Sequence, residues 1–181
     1  RGRLVPQRSS DEPITSLRDR IHSRRLAHVD TGRAKAGLVI PEVAAHEALF
    51  PVPDTWGWVR FASIASFSAG RTPSRSDTSY WDSKDHPWVS IADMVDGAVL
   101  LSTKESVSEK ARRVVFGTSP EELGTIIMSF KLTIGKISRL GVRAFHNEAI
   151  IAIKPYLEEL DPYLFKVLSK FAQLGDTKGA I

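Results

Sequence analysis

Residues 70–94 read Gly-Arg-Thr-Pro-Ser-Arg-Ser-Asp-Thr-Ser-Tyr-Trp-Asp-Ser-Lys-Asp-His-Pro-Trp-Val-Ser-Ile-Ala-Asp-Met, and their order decides how the rest of the chain is read. A loop rich in hydroxyls and arginines runs into an aromatic pair, Tyr80 and Trp81. A second polar loop, Asp82 to Pro87, follows, and then a short apolar run, Trp88–Ile91. Segments this polar cannot fill a core, whereas the aromatic side chains beside them can. Polar loops held between buried aromatics and a strand keep one pose on a rigid base. That suits a surface that reads a partner better than a catalytic cleft.

The first loop offers Arg71, Thr72, Ser74, Arg75, Ser76 and Thr78. Arginine matches guanine O6 and N7 together, and hydroxyls reach phosphates or base edges. Pro73 limits the loop's freedom and so lowers the entropy lost on binding. Tyr80, Trp81 and Trp88 are expected as buried supports rather than stacking platforms. Lys84, Asp85 and His86 form a second candidate loop. Further along, Lys131, Thr133 and Lys136 fall in a turn between two apolar strands, with Gly135 permitting a tight bend. Alternation through 129–133 puts Ser129, Lys131 and Thr133 on one face. Arg139 and Arg143 extend this basic stretch, and Lys110, Arg112 and Arg113 add another. Thr177 and Lys178, beyond the last expected helix, are further phosphate candidates. The bland alternative for each is a solvated surface residue.

Outward from these loops, the fold class is α+β, a single mixed-sheet domain with a helical N-terminal segment. Ser10 or Asp11 is expected to cap a helix whose first turn holds Glu12 and Pro13. Ile14, Leu17 and Ile21 form its narrow apolar stripe, with Arg18, Arg20, Arg24 and Arg25 on the other faces. Residues 30–53 carry glycines and prolines without a period and read as an ordered linker or arm. The domain boundary is placed between residues 53 and 54. Strands are expected at Trp58–Ile64, Trp88–Ile91, Ile126–Phe130, Ile134–Ile137 and Glu148–Ile153. Ser108–Val114 reads as a short helix capped by Ser108. A longer helix starts at Asp161-Pro162, carries Leu164, Val167, Leu168, Phe171 and Leu174, and stops at Gly175.

The chain has 181 residues, a net charge of +4 and 42% hydrophobic residues, enough for one domain with an appendage. A basic balance favours an anionic partner, since lysines and arginines release counterions condensed on DNA. Cysteine is absent, which excludes disulfides and thiolate metal sites and fits a cytoplasmic protein. No Gly-x-Gly pair occurs, so a glycine-rich nucleotide loop is unsupported. The Asn/Asp-Pro-Pro-Tyr/Phe element of amino-methyltransferases is missing too. Gly135-Lys136 lacks both the glycine at 130 and the hydroxyl at 137 that a phosphate loop needs. His22, His28, His46, His86 and His146 are scattered without metal-ligand spacing. Asp93, Asp96 and Glu109-Lys110 lack the carboxylate–lysine spacing of a nuclease. The expectation is a protein that binds and does not catalyse.

The stretch 70–94 resembles the target recognition domain of the DNA specificity subunits of type I restriction–modification systems. Those proteins carry a Gly-x-Thr-Pro-Ser loop, then Tyr-Trp, then Pro-Trp-x-x-x-x-Asp-Met. Three further segments are similar to the same family: Gly2–Gln7 with Asp11-Glu12-Pro13, Leu49–Arg60, and Gly124–Lys136 with Asn147-Glu148-Ala149-Ile150. The resemblance implies a double-stranded DNA recognition module that reads one half of a bipartite target. It implies modification subunits as partners and, through the complex, a motor-nuclease restriction subunit. It also implies that S-adenosylmethionine, ATP and magnesium belong to those partners, with no cofactor in this chain. The full subunit of the family has two recognition domains, and this chain has room for one. It is read as the second recognition domain preceded by the end of the central spacer, or alternatively as a naturally truncated half-subunit. The rival function is a protein-interaction module whose basic loops are merely solvated; steep salt dependence of duplex binding separates the two.

Overall fold

A computed structural model of the chain describes residues 6, 8, 10–30, 37–131 and 133–174. These divide into two compact units. One holds the described residues up to Ser66 together with Pro155–Glu158; the other holds Phe67–Lys154 and the described residues from Glu159 onward. Pro53, the expected boundary, lies inside the first unit. Helices and mixed sheets are both present, so the fold is α+β, as the sequence predicts.

In the first unit, helix α1 runs over Ile14–Asp30. It starts later than the expected caps. The Pro13 carbonyl accepts the Leu17 N–H, and the Asp11 carboxylate accepts the Arg8 N–H instead of capping. Ile21 is buried, while Ile14 and Leu17 are half-buried. The helix leans on the 57–64 segment: a Cβ on Gly57 would stand 2.8 Å from the Ile14 side chain, and Arg18 donates to the Trp58 carbonyl at 2.8 Å. His28 meets Tyr156 edge-on with ring centroids 5.4 Å apart. Its arginines are mostly spent locally, Arg20 on Glu12 and Arg25 on the Leu38 carbonyl.

The strand expected at Trp58–Ile64 is not formed. Residues 58–60 are irregular, and Phe61–Ile64 make one helical turn, α2. Carbonyls here are taken by side chains rather than by a neighbouring strand, that of Trp58 by Arg18 and that of Arg60 by Ser63. Trp58 Nε1 donates to Phe50, and Arg60 pairs with Glu47 at 2.6 Å. Strand β1 begins at Ala65 and runs to Ala69.

Among the described residues two sheets form, and nearly all of their strand residues lie in the second unit. The remaining strands are β2 (Trp81–Val89), β3 (Ala98–Leu100), β4 (Glu105–Val107), β5 (Ile126–Ser129), β6 (Ile137–Leu140), β7 (Phe145–His146) and β8 (Ile150–Pro155). One sheet has the order β1-β8-β5-β6-β3, the other β4-β2-β7. Strand β5 is antiparallel to both β6 and β8, while β3 is parallel to β6. The larger core gathers Val89, Met94, Leu100, Ile127, Leu140 and Ile150; a second gathers Trp88, Val107, Ala111, Phe116 and Phe145.

Three further sequence expectations shift. Residues 134–136 form a turn rather than a strand, because Gly135 has a φ of 81° and its N–H bonds back to the Ser129 carbonyl at 2.8 Å. The alternation expected through 129–133 stops for the same reason: Ser129 ends β5 fully buried, while Lys131 and Thr133 are exposed in the turn. The polar run 82–87 lies within strand β2, yet it leaves the ladder there. Trp81 and His86 both pair with Val107, so 82–85 bulges out, with positive φ at Asp82 and Lys84.

Helix α3 (Glu109–Ala111) is capped as expected, with the Ser108 hydroxyl accepting the Ala111 N–H at 3.2 Å. A π turn, Arg112–Phe116, follows it and ends at Gly117, whose φ is 66°. Helix α4 (Asp161–Leu174) buries Leu164 and half-buries Val167 and Leu168. Gly175, the expected stop, lies outside the described residues. Among those described, no helix is long and apolar enough to cross a membrane.

Candidate nucleic-acid interface

The loop from Gly70 to Thr78 is anchored from beneath. Gly70 sits against the 146–147 backbone so closely that a Cβ would lie 1.9 Å from the His146 carbonyl oxygen. Only glycine permits that approach. The Arg71 N–H then bonds to the His146 carbonyl at 2.9 Å. Two indoles hold the loop's carbonyls: Trp88 Nε1 donates to Arg71 and Trp81 Nε1 to Ser74, both at 3.0 Å. Pro73 is fully buried between these points. At the far end, Asp77 accepts the Ser79 N–H at 3.0 Å and caps a 3-10 turn over Thr78–Tyr80. The expected aromatic supports are therefore present: Trp88 lies in the second core, with Tyr80 and Trp81 packed against it.

What the loop exposes is polar. Arg71, Thr72, Ser74, Arg75, Ser76 and Thr78 are all exposed. The Thr72 hydroxyl donates to Glu148 in a short hydrogen bond, and the Ser74 and Ser76 hydroxyls are 2.8 Å apart. Arg71 Nη1 donates to the Val115 carbonyl at 2.5 Å. The Arg75 guanidinium carbon lies over the Trp81 ring, 3.7 Å from its centroid, and the group pairs with both oxygens of Glu105.

Electrostatics shows which segments share this surface. The Arg75 guanidinium is held charged by Glu105 first, with Asp82 and Glu148 adding to the field. The Glu148 carboxyl is lowered by the Thr72 hydroxyl first, then its own N–H, with Lys131 and Arg75 contributing. Hydrogen bonds tie the 70–78 loop to Glu148 and to β4, and β4 to the bulge after Trp81, while Lys131 acts on Glu148 through its charge. The bulge presents Lys84, exposed, with its N–H on the Ser106 hydroxyl at 3.1 Å. Asp85 accepts the Glu109 N–H at 2.9 Å and ties the bulge to α3.

Other sequence candidates are committed elsewhere. Lys136 donates to the Ile91 carbonyl at 3.2 Å, half-buried. Arg139 donates to Gly124 at 2.7 Å, pairs with Asp161 at 2.5 Å, and lies over the Phe165 ring. Arg143 pairs with Glu122 at 2.8 Å. Lys110 reaches Asp77 and Ser79, while Arg112, Arg113 and His86 converge on Glu109. Arg112 first, then His86 and Arg113, hold the Glu109 carboxyl far below the usual carboxylate range. Thr133 is exposed in the turn. Thr177 and Lys178 lie outside the described residues.

Sequence reasoning passed over the anions of this face. Glu105 falls in none of the strands expected from the sequence, and Glu148 figures there only as the start of an expected strand and within the Asn147–Ile150 motif. The carboxylate that pairs with a loop arginine cannot be placed in the chain without the sheet register. Among the described residues, no group of three or more His, Asp or Glu side chains is placed to hold a metal ion.

No protein-family model matches the chain. It is 37% identical over 68 residues to the type I restriction enzyme EcoAI specificity subunit of Escherichia coli, a match covering 38% of this chain and 12% of that protein. It is 32% identical, again over 68 residues, to the EcoEI specificity subunit of the same organism, covering 38% of this chain and 11% of the relative. The matches therefore span only a small part of the curated relatives' length. A solved chain from a study of complex assembly and conformational transition of the type I R-M system superposes with a TM-score of 0.50 at 14% identity. That superposition covers 89% of this chain and 38% of the other, and it is a likeness of fold.

Proposed function

We propose that this chain, a domain of the type I restriction specificity-subunit family, reads double-stranded DNA at one half of a bipartite target. The reading surface is the face built by the 70–78 loop, the 82–85 bulge and Lys131. One observation carries the assignment to this face: a loop of exposed donors is fixed to the core by two indole N–H bonds and a glycine contact. Its side chains thus stand in place before any partner arrives, which lowers the entropy lost on binding. Arg71, Thr72, Ser74, Arg75 and Thr78 are its base and phosphate contacts, with Lys84, Lys131 and Thr133 at its rim.

On this reading the chain carries no catalysis of its own. It directs modification subunits and, through them, a restriction subunit to the target. S-adenosylmethionine, ATP and magnesium serve those partners. The segment before residue 54 ends the spacer that sets the distance between half-sites. Lys136 and Arg139, with their charges committed inside the domain, support the face rather than touch DNA.

The rival, a protein-interaction module, draws on the pairing of Lys110, Arg112, Arg113 and Arg143 with carboxylates, which leaves less free positive charge. One experiment decides between them. Duplexes bound by the complete subunit with its modification partners are selected from a random pool, with and without Arg71, Arg75 and Lys131. Enrichment of one defined half-site is expected, and it should disappear in the triple variant. Retention of that half-site in the triple variant, or no enrichment at all, would overturn it.

A further inference from the structure

We propose that Glu105 is a positioning residue for recognition: it holds the Arg75 guanidinium so that the loop takes a guanine edge in preference to a phosphate. The inference rests on the DNA-reading role given above to the 70–78 loop, and it assigns the selectivity within that role to one carboxylate.

Glu105 is fixed by the sheet. It opens β4, stands opposite Trp88 in the antiparallel register, and its carbonyl accepts the Thr103 hydroxyl at 2.7 Å. Its side chain is 34% exposed, against 54% for Arg75, so the pair sits at the surface with the carboxylate the more sheltered member. Arg75 is constrained on two sides. Its Cζ lies 3.7 Å from the centroid of the Trp81 ring, which meets Trp88 edge-on at 5.0 Å. Its two terminal nitrogens engage the two carboxylate oxygens, Nη2 to Oε2 at 3.0 Å. The Trp81 indole in turn holds the Ser74 carbonyl, the residue just before Arg75. Platform, end-clamp and backbone are thus joined in one unit.

A guanidinium has five N–H donors in a planar fork. A carboxylate engaging both terminal nitrogens end-on uses two of them. The lateral edge, Nε–H with one outer N–H, remains as a pair of parallel donors. That pair fits O6 and N7 of guanine. A phosphate competes for the same edge, and an unpaired arginine binds phosphates on any sequence. With Glu105 in contact and Asp82 and Glu148 near it, the Arg75 charge is already compensated. A second anion is therefore disfavoured, whereas a neutral base edge that asks only for directed hydrogen bonds is not. Selectivity arises from what the carboxylates repel as much as from what the arginine attracts.

The test uses the complete subunit assembled with its modification partners, and duplexes changed one base pair at a time. Wild type is expected to discriminate at one G·C pair by about tenfold or more. Glu105→Gln removes the charge and keeps the shape. It should lose most of that discrimination, bind off-target duplex more tightly, and show a steeper dependence on salt. Arg75→Lys, an exposed change that preserves charge but not the fork, should lose discrimination at the same base pair. If Glu105→Gln weakens all duplexes alike, or leaves discrimination untouched, the carboxylate is only a structural partner and the inference falls. Should Glu105→Gln fail to assemble, Arg75→Lys decides: unchanged discrimination overturns the inference. If wild type itself shows no base preference, the recognition role fails, and the inference with it.

Discussion

Two basic regions of the second unit look alike in sequence and differ in the structure. The 70–78 loop holds its backbone to the core through Gly70, Trp81 and Trp88 and leaves its polar side chains at the surface. The stretch from Lys136 to Arg143 spends its charges on the protein, on the Ile91 carbonyl, Gly124, Asp161 and Glu122. The difference teaches that a run of cations is no measure of a binding surface. What counts is whether the backbone or the side chain does the anchoring. Where indole N–H groups and a glycine contact fix the main chain, the side chains stay at the surface, although Arg71, Thr72 and Arg75 also bond to the protein there. Where guanidinium and ammonium groups do the fixing, they are used up.

The comparison breaks most readily at Gly70. Gly70→Ala puts a Cβ 1.9 Å from the His146 oxygen and 2.5 Å from that of Asn147, both backbone atoms that cannot swing aside. A loss of about 3 kcal/mol in denaturant unfolding is expected, at the upper end for overpacking. A cost below about 0.5 kcal/mol, ordinary for a surface change, would mean that the loop is not anchored there.

Arg139→Ala tests the other side. It removes a half-buried pair with Asp161 and a bond to Gly124, so about 2 kcal/mol of stability should go, less than for a fully buried pair. The slope of log affinity for duplex against log salt should stay as it was. A flatter slope with unchanged stability would make Arg139 a phosphate contact and dissolve the contrast between the two regions. Lys131→Ala should do the reverse, leaving stability within about 0.5 kcal/mol and reducing the salt slope by roughly one unit.

The smallest effect is on pH dependence. Burial pushes the His146 imidazole below its ordinary value of 6.5, and this residue's carbonyl accepts the Arg71 N–H and lies close against Gly70. Its folded pKa is the lower one, so the unfolded chain binds the extra proton first. Stability should therefore fall as pH drops through about 6.5 and level off below the folded value. Replacing His146 by Gln should remove that part of the pH dependence between pH 7 and 5. An identical pH profile in the variant would show that the buried imidazole plays no part.

Much of this was legible in the sequence, for identifiable reasons. The loop and its aromatic supports were, because Gly70, Pro73 and the Tyr80-Trp81 pair are residue types with few alternative uses. Ser108 as a cap and Asp161-Pro162 as a helix start were equally readable, since both act within one turn of chain. The misplaced strands failed on long-range competition. Trp58–Ile64 has strand-like composition, but its polar groups are claimed by Phe50, Glu47 and Arg18. Gly135 moved β6 by closing a turn onto Ser129. The carboxylates Glu105 and Glu148 were invisible for the same reason, since each meets its partner across a gap of at least 30 residues.

The central claim is that the anchored loop reads bases, and methylation by the reconstituted complex tests it most directly. Targets are varied one base pair at a time and compared between wild type and Arg75→Ala. Arg75→Ala should relax preference at one base pair, with about 1–3 kcal/mol of discrimination lost there and little change elsewhere. A uniform drop on every target would contradict it, because losing an arginine that holds phosphate weakens all sequences equally.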